Sequence, residues 1–338
     1  MSDKEKKDDI NRRDFIKKGL QIAGALSITG LSAGLTGCPD PVSNTQKIPA
    51  AGGGSTGATR GFAVAGFSGG NIASMDNYDG SAGSWTTGTG IAVARMFHSS
   101  FSLGTDLGFV CGGISGTLLN TTEKYSDSAG SWSMGINSGT AKRQQSSFSL
   151  GTDSGFIVGG YITGTLANTE KYSDSAGTWS VGPNLGTARK NPTSFSLGTD
   201  TGFAVGGSSG GTLFKSTEKY SDSGGTWSVG TNLGTAREFH SSFSLGADLG
   251  FAIGGTNLSS VEKYNDITST WTVVTSLPDI RSSHSSFSIG NETGVVTGGQ
   301  VNTPNASNNT EVYNDVTGTW TVGTTLTQSR FCHSGFSL

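Results

Sequence analysis

Six tryptophans, Trp85, Trp132, Trp179, Trp227, Trp271 and Trp320, recur along the chain at intervals of 44 to 49 residues. Each has a tyrosine seven residues before it (Tyr78, Tyr125, Tyr172, Tyr220, Tyr264, Tyr313) and a cation ten residues after it (Arg95, Lys142, Arg189, Arg237, Arg281, Arg330). Thirteen residues beyond each of the first five cations a G-[FV]-x-x-G-G run opens, as at Gly108-Phe109-Val110-Cys111-Gly112-Gly113. Register held this tightly means one supersecondary unit used six times, so the length of 338 residues does not imply two unrelated domains. The 54 glycines would suggest low complexity in a chain without such register. Here they are expected to serve hairpin turns and close approach between units.

Within a repeat four strand-like runs alternate with turn residues. In the second they are Ser99–Leu103, Gly108–Cys111, Thr122–Tyr125 and Ser131–Ser133, separated by turns such as Gly104-Thr105-Asp106 and Ser126-Asp127-Ser128-Ala129-Gly130. Four short antiparallel strands repeated six times describe an all-β, six-bladed β-propeller over residues 61–338. The first repeat starts at its second strand, Gly61-Phe62-Ala63-Val64, and the chain stops at Phe336-Ser337-Leu338, which matches a first strand. The C-terminal strand is therefore expected to become the innermost strand of the first blade, leaving no open sheet edge.

The diglycine, tyrosine, tryptophan and arginine in this order resemble the kelch repeat, and the resemblance covers residues 61–338. Departures are few: Ala65-Gly66 stands for the first diglycine, Lys142 for one arginine and Val295 for a phenylalanine. A ring of seven blades, as in galactose-oxidase-like domains, would need a repeat this chain does not contain.

Residues 1–37 read as a targeting segment. Asn11-Arg12-Arg13-Asp14-Phe15-Ile16-Lys17-Lys18 resembles a twin-arginine export signal, with Arg12 and Arg13 as the pair. The uncharged stretch from Gly19 ends in Leu35-Thr36-Gly37-Cys38, which looks like a bacterial lipobox and implies lipidation of Cys38. Its serines, threonines and glycines make the stretch a poor membrane-spanning helix. Residues 38–60 then read as a lipidated flexible tether. The expected product is exported, lipid-anchored in the bacterial cell envelope on the periplasmic or surface side, and monomeric. Removing residues 1–37 takes away seven Lys/Arg and five Asp/Glu, and the weakly acidic remainder argues against nucleic acid as a partner. Three cysteines make no disulfide framework, and Cys111 fills a position held by Val64, Val158, Val205, Ile253 and Thr297 elsewhere, as a small buried hydrophobe would.

Comparison of the six repeats shows where they vary. Only the segment between the diglycine and the acid two residues before the tyrosine changes length. It carries Phe67 and Ile72, Leu118 and Leu119, Tyr161 and Ile162, Phe214 and Lys215, Leu258, and finally Asn302, Asn305 and Asn308. Strand topology places these loops on the face that carries the cations, and the regular acidic turns (Asp106, Asp153, Asp200, Asp248, Glu292) on the other. A rigid scaffold with one variable face points to function on that face. The candidate ligand-binding residues are the cations Arg95, Lys142, Arg189, Arg237, Arg281 and Arg330, the residues after them (Phe97, Gln144, Asn191, Glu238, Phe239, Phe331), and Tyr161 and Phe214 in the loops. The cations have a second reading. An acid stands two residues before every tyrosine (Asp76, Glu123, Glu170, Glu218, Glu262, Glu311), so each cation can instead pair with an acid across a blade boundary and order the ring.

All four histidines, His98, His240, His284 and His333, stand three residues after a cation, where Gln145 and Pro192 fill the other two repeats. A structural role at the strand start is expected in preference to a metal site, because no single element offers two ligands. No nucleophile elbow, zinc-protease, phosphate-loop or calcium-loop pattern occurs, so no catalytic residue and no cofactor is assigned. The resemblance implies a non-catalytic binding scaffold for a glycan or an envelope protein. An enzymatic alternative resembles the kelch-type sialic acid epimerases, with Arg189, Arg237 or Arg281 clamping a carboxylate and Glu238 as the acid. A copper-radical oxidase has less support, with Tyr161 the only tyrosine that could serve it. A purely structural surface repeat protein is the third reading, favoured if the acid–cation ring closes on itself with no cavity left over.

Overall fold

Each repeat folds into one four-stranded antiparallel sheet, and six sheets stand around a common axis. The computed structural model describes residues 58–338, all of them in strands, turns or irregular segments with no helix. The export pair Arg12-Arg13, the lipobox residues and Cys38 lie outside the described residues.

Blade 2 is representative: Ser99–Leu103 lies innermost, then Leu107–Cys111, Thr122–Ser126 and, outermost, Ser131–Met134. Blade 1 is assembled from both ends of the chain. Its inner strand is Ser334–Ser337, paired antiparallel with Arg60–Phe67 through Gly61↔Ser337, Phe62↔Phe336, Ala63↔Gly335 and Val64↔Ser334. The Thr59 and Arg60 amides donate to the Leu338 carbonyl at 3.1 and 3.2 Å, so the ordered strand starts one residue ahead of the expected Gly61. The ring thus closes as the two chain ends imply.

The invariant glycine of G-[FV]-x-x-G-G has a packing cause. In every blade a phenylalanine of the neighbouring inner strand lies where its Cβ would be: 2.1 Å from the Phe101 ring at Gly155, 2.2 Å from Phe148 at Gly202 and 2.0 Å from Phe287 at Gly61. Backbone extended enough for any side chain is held to glycine by the preceding blade's aromatic ring. In five blades that phenylalanine packs on the one opposite it in its own blade, as Phe101 on Phe109 with centroids 4.8 Å apart, and in blade 6 Phe287 faces Val295. Tyr172 and Trp179 of the following blade close the same cluster, at 5.1 Å from Phe109 and 6.3 Å from Phe101. Offset and edge-on aromatic contacts of this kind contribute about 0.5–1.5 kcal/mol each beyond area burial. Six apolar clusters result, one per blade boundary, instead of a single central core.

Tryptophan also ties blades together through its ring nitrogen: Trp132 donates to the Thr89 carbonyl of the linker from blade 1 at 2.9 Å, and Trp179 to that of Ile136 at 3.0 Å. On the regular face, Lys124, Lys171, Lys219 and Lys263 reach Asp174, Asp222, Asp266 and Asp315 of the next blade at 2.6–3.0 Å. Arg60 does the same to Asp127. The turn aspartates Asp127, Asp174, Asp222, Asp266 and Asp315 are therefore each paired with a cation of the preceding blade.

Candidate functional site

The variable loops and the cation loops meet on one face because they pair with each other. The residue after the cation bridges the residue after the diglycine: Met96 with Ile114, Arg143 with Tyr161, Lys190 with Ser208, and Phe331 with Phe67. Each blade therefore ends on this face in a short extra ribbon above its sheet.

The six cations lie beneath these ribbons, fully buried. Arg95 donates through Nη2 to Glu123 Oε1 at 2.7 Å and through Nη1 to the Gly112 and Thr121 carbonyls at 2.9 and 3.0 Å. Glu123 also accepts from the Ala92 and Val93 amides at 2.6 and 3.1 Å. The same unit recurs as Lys142–Glu170, Arg189–Glu218, Arg237–Glu262, Arg281–Glu311 and Arg330–Asp76 at 2.6–3.2 Å. Each pair locks the linker entering a blade onto the third strand of that same blade, so it does not bridge two blades as its spacing had suggested. Of the two readings open for the cations, the geometry is that of pairing, and none of them presents surface to a ligand. Desolvation lowers the pKa of all five arginines, against the pull of the paired carboxylate.

Glu311 differs from its counterparts for a readable reason. The amide three residues before the cation donates to the acid from Ala92, Gly139, Gly186, Gly234 and Thr327. Pro278 occupies that place in blade 6 and has no N–H. Burial raises the Glu311 pKa, with Arg281 opposing.

Above the ion pairs a second ring surrounds the channel mouth. Phe97, Gln144, Asn191, Phe239, Ser283 and Cys332, one from each blade, all have left-handed backbone, with φ between 49° and 60°. Amide-to-carbonyl hydrogen bonds link them around the axis: Gln144 to Phe97, Asn191 to Gln144, Ser283 to Phe239, Cys332 to Ser283 and Phe97 to Cys332, at 2.8–2.9 Å. Their side chains line the mouth, where Phe97 and Phe239, from opposite blades, approach to 6.3 Å. Left-handed backbone is costly for a phenylalanine and free for glycine. Among the described residues glycine stands at 25 other positive-φ positions and at none of these six.

The histidines sit one residue deeper. His98 Nε2 meets the Val64 carbonyl of the preceding blade at 3.2 Å, and Gln145 donates to the equivalent carbonyl of Cys111 at 2.9 Å. His240 and His284 face the matching carbonyls of Val205 and Ile253 in looser geometry. Among the described residues no group of three His, Cys, Asp or Glu side chains is placed to hold a metal ion. Cys111 and Cys332 are free, buried thiols whose pKa burial pushes up to about 12.

Burial first, then the charge of Arg95, pushes His98 down to about 3, against the Val64 hydrogen bond. Burial likewise holds His240, His284 and His333 well below the usual histidine range. The unfolded chain takes up protons below about pH 6.5 that these folded imidazoles refuse. Their contribution to stability is complete above that pH and is lost as pH falls towards the depressed folded values. The melting temperature is expected to fall between pH 7 and pH 5, by about 2 °C or more for each kcal/mol lost. Replacing all four histidines by glutamine, which Gln145 shows to be accepted at this position, should flatten that dependence. An equally steep fall in the fourfold variant, measured by calorimetry, would show that other groups control it.

Glu238, Phe214 and Tyr161 gather on one sector of the rim, whereas Phe331 packs against Phe67 of blade 1 with ring centroids 5.2 Å apart. Glu238 accepts from Asn191 Nδ2 at 3.1 Å and from Ser208 Oγ at 2.6 Å. Phe214 lies against Arg189 at 5.6 Å. Tyr161 is flanked by Arg143 and Lys190, 5.5 and 5.4 Å from its ring. Neither of these two cations was among the residues singled out in the sequence. The doublets Lys142-Arg143 and Arg189-Lys190 carried the signal, since successive residues on extended backbone point to opposite sides and only one of each doublet can be inside. The arginine clamps of the epimerase-like alternative, Arg189, Arg237 and Arg281, are engaged in the interior, whereas its acid, Glu238, is on the rim. No protein-family model matches this chain, and the search of curated proteins found no match either.

Proposed function

We propose that this protein is a kelch-type propeller that binds a glycan or envelope protein without chemical transformation, through the mouth and rim of its variable face. The observation that carries this reading is the ring of six left-handed, non-glycine residues. A constant, hydrogen-bonded backbone presents six positions with largely different side chains around one opening, and the chain forgoes the cheaper glycine at each. The purely structural alternative has its self-satisfied acid–cation ring, but a cavity remains above it, lined by Phe97, Gln144, Asn191 and Phe239. The repeat residues shared with the kelch pattern, Tyr, Trp, diglycine and buried cation, all serve packing, which leaves specificity to the loops.

Screening the protein against immobilised bacterial surface saccharides is expected to yield a saturable ligand. Its binding should disappear in a Phe97→Ser/Phe239→Ser variant that keeps the wild-type melting temperature. Binding that survives this double change would place function elsewhere.

The tethering belongs to the same proposal. The lipobox-like Leu35-Thr36-Gly37-Cys38 behind Arg12-Arg13 supports export and lipidation, with the propeller held at the membrane by acyl chains on Cys38. Fractionation of cells carrying Cys38→Ser should find the protein soluble or unprocessed; a processed, membrane-bound variant would refute the anchor.

A further inference from the structure

The described residues include fourteen lysines and arginines, and eleven of them are in ion pairs. The three left over are Arg143, Lys190 and Lys215. Two of these three converge on a single tyrosine ring, Tyr161, on the variable face. In a chain that pairs its cations this thoroughly, two uncompensated charges at one spot are the exception that needs a cause.

The corner is built rather than incidental. Arg143 and Tyr161 are a backbone-bonded cross-strand pair, with amide–carbonyl distances of 3.1 and 2.8 Å. Lys190 is fixed in the same way against Ser208 of the next blade, at 3.0 and 2.9 Å. Arg143 and Lys190 are both half-buried rather than enclosed, and neither has a carboxylate partner. Cations in that state can take a charge-assisted contact from an incoming anion. The one carboxylate in this sector, Glu238, is bonded to Asn191 and Ser208 and is outside ion-pair distance of either cation. Around the charges lie amides and hydroxyls: Gln144, Asn191, and Thr165 and Ser209, whose hydroxyls are 2.7 Å apart. Such groups both donate and accept, as recognition of neighbouring sugar hydroxyls requires.

We infer that the Arg143–Tyr161–Lys190 corner is the subsite for a carboxylate-bearing saccharide, its carboxylate taken up by the cations beside the Tyr161 ring and its hydroxyls by the amides towards the mouth. The inference rests on the reading of the variable face as a binding surface. The other sectors do not offer this chemistry. The residues equivalent to Arg143 and Lys190 are Met96, Glu238, Ser282 and Phe331.

The test is calorimetric titration of the intact protein in detergent with trigalacturonic acid, its methyl ester and citrate. The acid should bind with an affinity that falls as salt rises, while the ester and citrate bind weakly or not at all. Arg143→Gln and Lys190→Gln should each weaken binding of the acid by about tenfold or more, the loss of one charge-assisted contact, without lowering the melting temperature. Lys215→Gln, which removes the third unpaired cation, should leave binding unchanged. Equal binding of acid and ester, unchanged affinity in both corner variants, or no binding of the acid would overturn the subsite. Citrate binding as tight as that of the acid would reduce it to a carboxylate site without saccharide recognition. Binding of trigalacturonic acid that is lost in Phe97→Ser/Phe239→Ser but kept in Arg143→Gln and Lys190→Gln would overturn the subsite alone and leave the binding face standing.

Discussion

Removing residues 329–338 is expected to abolish cooperative unfolding of the propeller. Ten residues leave, but four kinds of support leave with them. The inner strand of blade 1 goes, exposing Arg60–Phe67 as an open edge along the axis. Phe336 goes, and with it the ring that fills the space over Gly108 and stacks on Phe62 at 4.8 Å. Arg330 goes, leaving Asp76 buried without its cation, a loss of about 3–5 kcal/mol by itself. The backbone bonds from Thr59 and Arg60 to Leu338 go too. Because each blade buries its apolar face only against its neighbours, a gap at one boundary removes support from both sides of it. Calorimetry should find no cooperative endotherm, and the protein should aggregate. Adding a peptide of residues 329–338 in trans should restore part of the transition. A sharp transition in the truncated chain would mean that five boundaries suffice.

Arg237→Ala is expected to lower stability by about 3–5 kcal/mol, the cost of leaving a buried carboxylate unpaired. The side chain has no exposed surface and makes contacts at 2.9 Å to the Gly254 carbonyl, 3.0 Å to that of Ser260 and 2.6 Å to Glu262. After truncation, Glu262 keeps only the Gly234 and Thr235 amides, and two carbonyls lose their donor. For a protein of this size the loss corresponds to a melting temperature lower by roughly 10 °C. Replacing both members, as Arg237→Met with Glu262→Leu, should recover part of it, because a well-packed apolar pair carries no desolvation cost. Recovery in the double variant separates an unpaired charge from simple loss of volume, and its absence would point to the carbonyl bonds as the larger contribution.

Much of this architecture is legible before any coordinates. Tyrosine and tryptophan seven residues apart are cross-strand partners, as Tyr125 and Trp132 are, because a four-residue turn, Asp127 to Gly130, joins two adjacent strands. The displaced first strand implied the closure by Ser334–Ser337, and equal numbers of acids and cations implied their pairing. What stayed hidden depends on neighbours that no spacing within one repeat reveals. Gly108 reads from the sequence as the start of a strand, but that Phe336 of the adjoining blade fills its side-chain space is seen only in the fold. The pairing partner was assigned across a blade boundary because the linker's path over its own blade is a tertiary matter. At the site, the cations attracted attention as the charged, regularly spaced residues, yet regularity marked them as scaffold. Arg143 and Lys190, which break the pattern, are the ones at the surface.

The central claim is this division of labour, in which buried cations hold the ring and the residues after them meet the ligand. Thermal melting of wild type, Arg237→Ala and Arg143→Gln, each with and without trigalacturonic acid, tests it in one measurement. The account predicts a melting temperature about 10 °C lower for Arg237→Ala, and a wild-type melting temperature without ligand stabilisation for Arg143→Gln. An Arg237→Ala protein that melts like wild type but no longer responds to ligand would contradict it.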